Sequence, residues 1–293
     1  MKVLMVGATG SNAGLILLEV KKRGVAVRAL VREEGKNDLA RRAGADETAV
    51  GDLRDPANLR AAVEDVDGVF HINPAFAPDE ARMGVAMVEA AKDAGVRKFV
   101  FSGVYHPSIS KMVNHAAKQP VEEALYESGL DFTILQPAMF MQNLDGAWNA
   151  VLRSGRLTTP YSMRAKVSYV DYRYVAEVAA LAMTDDELGY GTFELAAPGM
   201  VDRGEMAEMA GAALGRTVEA GELSPGDWAS SSGMPERPLR DGLVRMMKHY
   251  DEHGFPGGNA LVLRAILGRE PGTLQEYFRK LADRPARLAE VVR

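Results

Sequence analysis

Gly7-Ala8-Thr9-Gly10-Ser11-Asn12-Ala13-Gly14 joins an apolar run, Lys2–Val6, to a helical one, Ala13–Arg23. Val3-Leu4-Met5-Val6 is apolar at successive positions, as in a strand buried on both faces of a parallel sheet. The helical stretch carries Leu15, Ile16, Leu17, Leu18 and Val20 and closes with Lys21, Lys22, Arg23 and Gly24. That ending puts cations on the negative pole and then a residue free to turn left-handed. In a strand, glycine turn and helix of this kind, bare backbone lets a pyrophosphate approach amides at the positive end of the helix. Gly7, Thr9, Gly10, Ser11, Asn12 and Ala13 are therefore the candidate phosphate-binding residues. The plain alternative is a strand-to-helix turn with no ligand.

The same alternation continues outward from this unit. Further strands are predicted at Val25–Leu30, Glu47–Val50, Gly68–Ile72, Lys98–Ser102 and Phe132–Gln136, with helices at Asp79–Ala94 and Asn114–Ser128. Repeated strand–helix–strand units imply right-handed crossovers and a doubly wound parallel sheet, an α/β Rossmann architecture. Beyond Pro137 the pattern loosens, with a short strand at Thr192–Ala196 and helices at Tyr172–Thr184, Arg203–Leu214 and Leu239–Tyr250. The expected organisation is an NAD(P)-binding domain over 1–153 and a smaller α+β lobe over 154–293, part of which is free to return to the sheet.

Composition narrows the functional classes. A chain of 293 residues, 47% hydrophobic and 26% charged, is long enough to bury a large core. With no cysteine, a disulfide framework, a thiolate metal site and a cysteine nucleophile are all excluded. A net charge of −5 argues against nucleic acid as a partner. No apolar run reaches the ~18–20 residues of a membrane span, and no signal peptide leads the chain. The expectation is a cytoplasmic protein acting on a small molecule, as a monomer or a homodimer. No metal site is expected: His249 and His253 have helical spacing, but Tyr250 stands where a zinc protease motif needs Glu.

The second half of a dinucleotide pocket belongs at the end of the second strand, where an acid that reads the ribose marks NAD. Here that strand ends in Arg32, 18 residues beyond Gly14, with Lys36 close behind. Guanidinium suits a 2′-phosphate, which points to NADP(H) over NAD(H), although Glu33 and Glu34 stand nearby. Gly51-Asp52-Leu53 closes the third strand. Asp52 is placed to accept from an adenine amine and Leu53 to pack on the ring, while Asp55 before Pro56 serves as the helix cap.

These residues resemble the NmrA-like group of atypical short-chain dehydrogenases. Further matches are Phe101-Ser102-Gly103-Val104-Tyr105-His106-Pro107, His115-Ala116-Ala117-Lys118-Gln119-Pro120-Val121-Glu122 and Ser128–Pro137. Gly254-Phe255-Pro256-Gly257-Gly258-Asn259 and Leu267-Gly268-Arg269-Glu270-Pro271 also match, so the resemblance spans nearly the whole chain. One departure is Ala13, where the group usually has its third motif glycine. The resemblance implies a Rossmann fold and NADP(H). It leaves the substrate open, because the group holds quinone, azo-dye and phenylpropanoid reductases and also sensors without turnover.

The wider dehydrogenase family uses Tyr-x-x-x-Lys, in which Tyr donates a proton and Lys holds the nicotinamide ribose. Lys118 fits the lysine, but Asn114 stands in the tyrosine's place. Hydride transfer to a carbonyl or conjugated double bond leaves an anion that needs a proton. Lys118 itself, or ordered water, is the first candidate donor, with a helical ion pair to Glu122 as the plain alternative for Lys118. Tyr105 and His106, after the fifth strand, are the other candidates, and His115 is expected to face outward. Ser102 matches the dehydrogenase serine region, Asn73 and Pro74 should wall the cofactor, and His71 is expected in the core. Phe76, Pro137, Met139, Phe140 and Asn143 are candidates to line a pocket for a planar or greasy substrate, core packing being the alternative. The expected function is an NADPH-dependent reductase of a small carbonyl, enone or quinone-like substrate. The alternatives are a regulator that senses NADP(H) without turnover and an epimerase-like enzyme.

Overall fold

All seven strands expected from the sequence become parallel neighbours in the computed structural model, which describes residues 1–234 and 238–284. The first half runs β1 (Lys2–Val6), α1 (Ala13–Lys22), β2 (Ala26–Val31), α2 (Asn37–Ala43), β3 (Glu47–Val50) and α3 (Pro56–Val63). It continues through β4 (Gly68–Ile72), α4 (Glu80–Asp93), β5 (Lys98–Ser102), α5 (Val113–Ala116), α6 (Gln119–Tyr126) and β6 (Asp131–Pro137). Then follow β7 (Met139–Phe140), α7 (Asp145–Ser154), β8 (Arg156–Thr158), β9 (Val167–Val170), α8 (Tyr172–Thr184) and β10 (Gly191–Leu195). The remainder is β11 (Met200–Val201), α9 (Arg203–Leu214), β12 (Glu219–Gly221), α10 (Pro225–Ser231), α11 (Leu239–His253), α12 (Leu261–Leu267) and α13 (Leu274–Ala282).

The main sheet has seven parallel strands in the order β10-β6-β5-β4-β1-β2-β3. Alternate side chains leave its two faces, as the period-2 geometry of a strand requires. Val3, Met5, Val27 and Ala29 enter one core with Ile16, Leu17 and Val20 of α1 and Val175, Ala176 and Ala179 of α8. Leu4, Val6, Val69, Phe99 and Phe101 enter the other with Leu59 of α3, Met87 of α4 and Val121 and Leu125 of α6. Helices on both faces thus explain the continuous apolar runs.

Two features differ from the sequence-based expectation. The helix expected over Asn114–Ser128 is broken into α5 and α6, because Pro120 has no amide hydrogen and its ring crowds the carbonyl four residues back. Pro120 instead sits in the first turn of α6, where no amide is needed. The strand expected at Thr192–Ala196 runs Gly191–Leu195 and joins the main sheet beside β6, with Gly191 opposite Thr133. Smaller sheets, β11-β9-β7 and β12-β8, follow from the carboxyl end of β6. Among them Arg203 is 1% exposed, its guanidinium bonded to the carbonyls of Thr159 and Gly221 at 3.2 Å and stacked over Tyr161. No described helix is long and apolar enough to cross a membrane.

Candidate functional site

A cavity of about 460 Å³ runs along the carboxyl ends of β1, β2, β3 and β4. From β1 and its turn it takes Gly7 and Thr9 to Ala13, and from β2 Leu30, Arg32 and Lys36. The β3 end contributes Gly51 to Arg54, and the β4 end Ile72, Asn73 and Pro74. The crevice at the carboxyl edge of an open α/β sheet is where such folds bind ligands.

The glycine turn is shaped by backbone bonds. Gly7 has φ +81°, and a Cβ there would stand 2.9 Å from Cγ2 of Ile72. Gly10 donates to the Gly7 carbonyl at 2.8 Å, and Gly14 to that of Gly10 at 2.9 Å. The helix that follows begins without a side-chain cap from Asn12 and without an acid in its first turn. Its positive end therefore faces the cavity uncompensated by side chains, which suits an anion. Ala13, at the departure from the usual glycine, points its methyl into the core at 3% exposure.

At the end of β2 the two cations differ in their ties. Arg32 is exposed and has no hydrogen bond or ion pair among the described residues. Lys36 meets Glu33 at 3.8 Å, and neither Glu33 nor Glu34 lines the cavity. Beside β3, Asp52 receives the Arg54 amide at 2.9 Å, and Asp55 caps α3 by accepting from Ala57 at 2.8 Å. Arg54, which sequence reasoning passed over, crosses to Asp79 at the start of α4 with bonds of 2.7 and 3.0 Å. That guanidinium holds the Asp79 carboxyl below the usual carboxylate range. A cation directly after Gly-Asp-Leu at a strand end was the available signal.

Behind the β4 end lies a buried polar cluster. His71 Nε2 donates to Oδ1 of Asn73 at 2.5 Å, which leaves the 5%-exposed Asn73 with an amide Nδ2 that has no partner. Lys118 is buried and pairs with Oε1 of Glu80, not with Glu122, the partner of the plain alternative. Glu122 instead accepts from Nε2 of Gln136 at 2.9 Å. The other Glu80 oxygen accepts the Phe76 amide at 2.8 Å, and Phe76 is held at φ 65°. Lys118 does not line the cavity; it stands behind the Asn73–Phe76 loop and reaches it through Glu80. Asn114 turns away toward Sδ of Met246 in α11.

Tyr105 and His106, the alternative proton donors expected from the sequence, lie outside the cavity at β1–β4 and pack against Phe255. Tyr105 is 2% exposed, and burial beside Glu194 pushes its phenol up to about 12. His106 bonds the Pro256 carbonyl at 2.8 Å and meets Glu194 at 3.3 Å. Phe255 crosses both rings edge-on, at 5.9 and 5.8 Å. His115, expected to face outward, is fully buried with Nδ1 bonded to the His106 carbonyl at 3.1 Å. Ser102 is buried 3.4 Å from the Tyr172 hydroxyl. The candidate substrate residues are likewise dispersed. Pro137 is buried, Met139 and Phe140 form β7, and Phe140 packs on Tyr172 at 4.5 Å. Asn143 is exposed, and the Phe76 ring lies against Gly242 of α11. None of these residues lines the cavity at β1–β4.

The buried histidines make stability depend on pH. Burial lowers both His71 and His115 from 6.5 to about 4, so both are neutral at pH 7. Between those values the unfolded chain binds protons that the folded one does not. Stability should therefore be full above pH 6.5 and fall toward pH 4, by on the order of a few kcal/mol in total. Urea midpoints measured across that window should decline, and a His115→Gln variant should show a shallower decline.

A glycine turn, an uncapped helix end and a crevice at the carboxyl edge of the sheet define a Rossmann-type protein. The chain belongs to the NmrA-like family, which it matches over residues 1–280. The NAD(P)H azoreductase of Xenophilus azovorans is 33% identical over 225 residues, 74% of this chain and 75% of that protein. The uncharacterized oxidoreductase YesF of Bacillus subtilis is 27% identical over 280 residues, 94% of this chain and 93% of that one. In fold, the chain is similar to the Escherichia coli NADPH-dependent quinone oxidoreductase QOR2 complexed with NADPH. The TM-score is 0.82 at 22% identity, over 95% of this chain and 99% of the other.

Proposed function

We propose that this protein is an NADPH-dependent reductase that passes hydride to a small carbonyl, enone or quinone-like acceptor. The observation that carries this reading is a single cavity in which the glycine turn and open end of α1 face Arg32 and Lys36. Such a cavity fits a dinucleotide with a third phosphate. The oxidoreductase names of the azoreductase and YesF support the same class.

Amides of the Gly7–Ala13 turn bind the pyrophosphate, and Arg32 with Lys36 binds the 2′-phosphate. Asp52 and Leu53 hold the adenine, and Asn73 and Pro74 form the wall farther along. When bound, NADPH supplies the hydride. Lys118 Nζ, behind the Asn73–Phe76 loop, holds the proton that an ordered water passes to the reduced acceptor. Residues 1–153 carry the cofactor, β10 completes the sheet and α8 packs on it, and the other described elements after residue 153 cover the acceptor.

The test is NADPH oxidation with a panel of quinones, enones, aldehydes and azo dyes, run beside equilibrium binding of NADPH and NADH. Turnover is the expected result. Tight NADPH binding with no turnover on any acceptor would favour a cofactor sensor instead. Arg32→Ala should weaken NADPH by ~10-fold or more, the worth of one charge-assisted hydrogen bond, and leave NADH little altered. Equal losses for both cofactors would sink the 2′-phosphate assignment.

A further inference from the structure

The first turn of α4 begins at two adjacent carboxylates that leave it in opposite directions. Asp79 turns outward to Arg54, whereas Glu80 is 1% exposed and turns inward to Lys118. A buried carboxylate is unfavourable unless a cation and hydrogen-bond donors compensate it. Glu80 has both, the Lys118 ammonium on one oxygen and the Phe76 amide on the other. It thereby joins α6 to the loop that presents Asn73 and Pro74 to the cavity.

The groups that face Lys118 come from four elements: Glu80 of α4, Glu122 of α6, His71 of β4 and His115 of α5. Both histidines are neutral at pH 7, since burial takes them to about 4. Burial raises the Glu122 carboxyl, which is bonded to Gln136. Glu80 is thus the carboxylate in direct contact with the ammonium.

We propose that Glu80 is the positioning residue of the reduction, holding the Lys118 ammonium charged and fixed against the Asn73–Phe76 loop. The proposal rests on the reductase reading, in which Lys118 supplies the proton. Gln at this position keeps an acceptor for the Phe76 amide but removes the counter-charge that fixes the ammonium.

The experiment compares wild type with E80Q, E80D, K118M and the E80Q/K118M double variant. In the cofactor-free protein, the isotope-labelled Lys118 signal is identified in NMR spectra by its loss in K118M. Its position should shift in E80Q and stay near wild type in E80D, which keeps the charge. In the loaded enzyme, E80Q should lower kcat by about 10-fold at neutral pH, through loss of the ammonium's fixed position, with NADPH affinity little changed. E80D, which keeps the carboxylate, should lower kcat less. The double variant should be no slower than K118M, because both changes act through one group.

An unmoved Lys118 signal in E80Q, or losses that multiply in the double variant, would overturn the proposal while leaving the reductase reading intact. If K118M itself retains full turnover, the role assigned to Lys118 fails and the role of Glu80 fails with it. Should E80Q not fold, E80D decides the matter: an unchanged kcat would overturn the positioning role.

Discussion

Lys118→Met is expected to lower turnover by at least ~10²-fold, the lower range for losing a positioned proton donor, while NADPH binding falls far less. The asymmetry follows from where the residue stands. Phosphate and adenine contacts are assigned to the β1, β2 and β3 ends, whereas Lys118 is buried behind the β4 loop. Methionine approximates the lysine stem but leaves Glu80 charged and without its cation. The variant should therefore also lose stability, by about 3–5 kcal/mol, the usual cost of breaking a buried pair. Single-turnover kinetics on an active acceptor, at a temperature where the variant is folded, separate the two effects. Unchanged hydride transfer would remove the lysine from the mechanism. Suspicion would then fall on Tyr105 and His106, whose rings meet Phe255 edge-on.

Gly10→Val should weaken NADPH and NADH together, by about 10²-fold or more, while the protein stays folded. The reason is local. A Cβ at Gly10 would stand 3.1 Å from the Gly7 carbonyl, the same oxygen that accepts the Gly10 amide. A branched side chain must project from there into the turn where pyrophosphate approaches. Losing one or two charge-assisted hydrogen bonds, at about 1.5–3 kcal/mol each, accounts for that loss of affinity. The position is not left-handed, unlike Gly7, so valine should be tolerated by the backbone itself. Titration of the folded variant with both cofactors checks this. Undiminished affinity would mean that the turn is not the phosphate site.

Much of the parallel sheet was legible because its signals are local. Lys2–Val6, Glu47–Val50, Gly68–Ile72 and Lys98–Ser102 were predicted as strands, and each is a strand with those limits. Outside the short edge strand Glu47–Val50, contiguous apolar side chains have few other uses in a chain of this composition. Asp55 before Pro56 was likewise readable as a cap, since both halves of that signal lie within two residues. The break before α6 was also present, in Pro120, but the helical pattern on either side concealed it.

The amino-acid sequence by itself determined the Rossmann class, the glycine turn at the end of β1 and the cations that follow β2, because each depends on neighbours in the chain. Tertiary structure alone decided the partner of Lys118. Spacing of four residues made Glu122 visible in the sequence, but Glu80 lies 38 residues away on another helix, and only packing brings its carboxylate to the ammonium. The same holds for His106, whose ring is met by the Pro256 carbonyl from 150 residues away. Side-chain direction and the register of one helix on another are long-range consequences of close packing, and no short stretch of sequence encodes them.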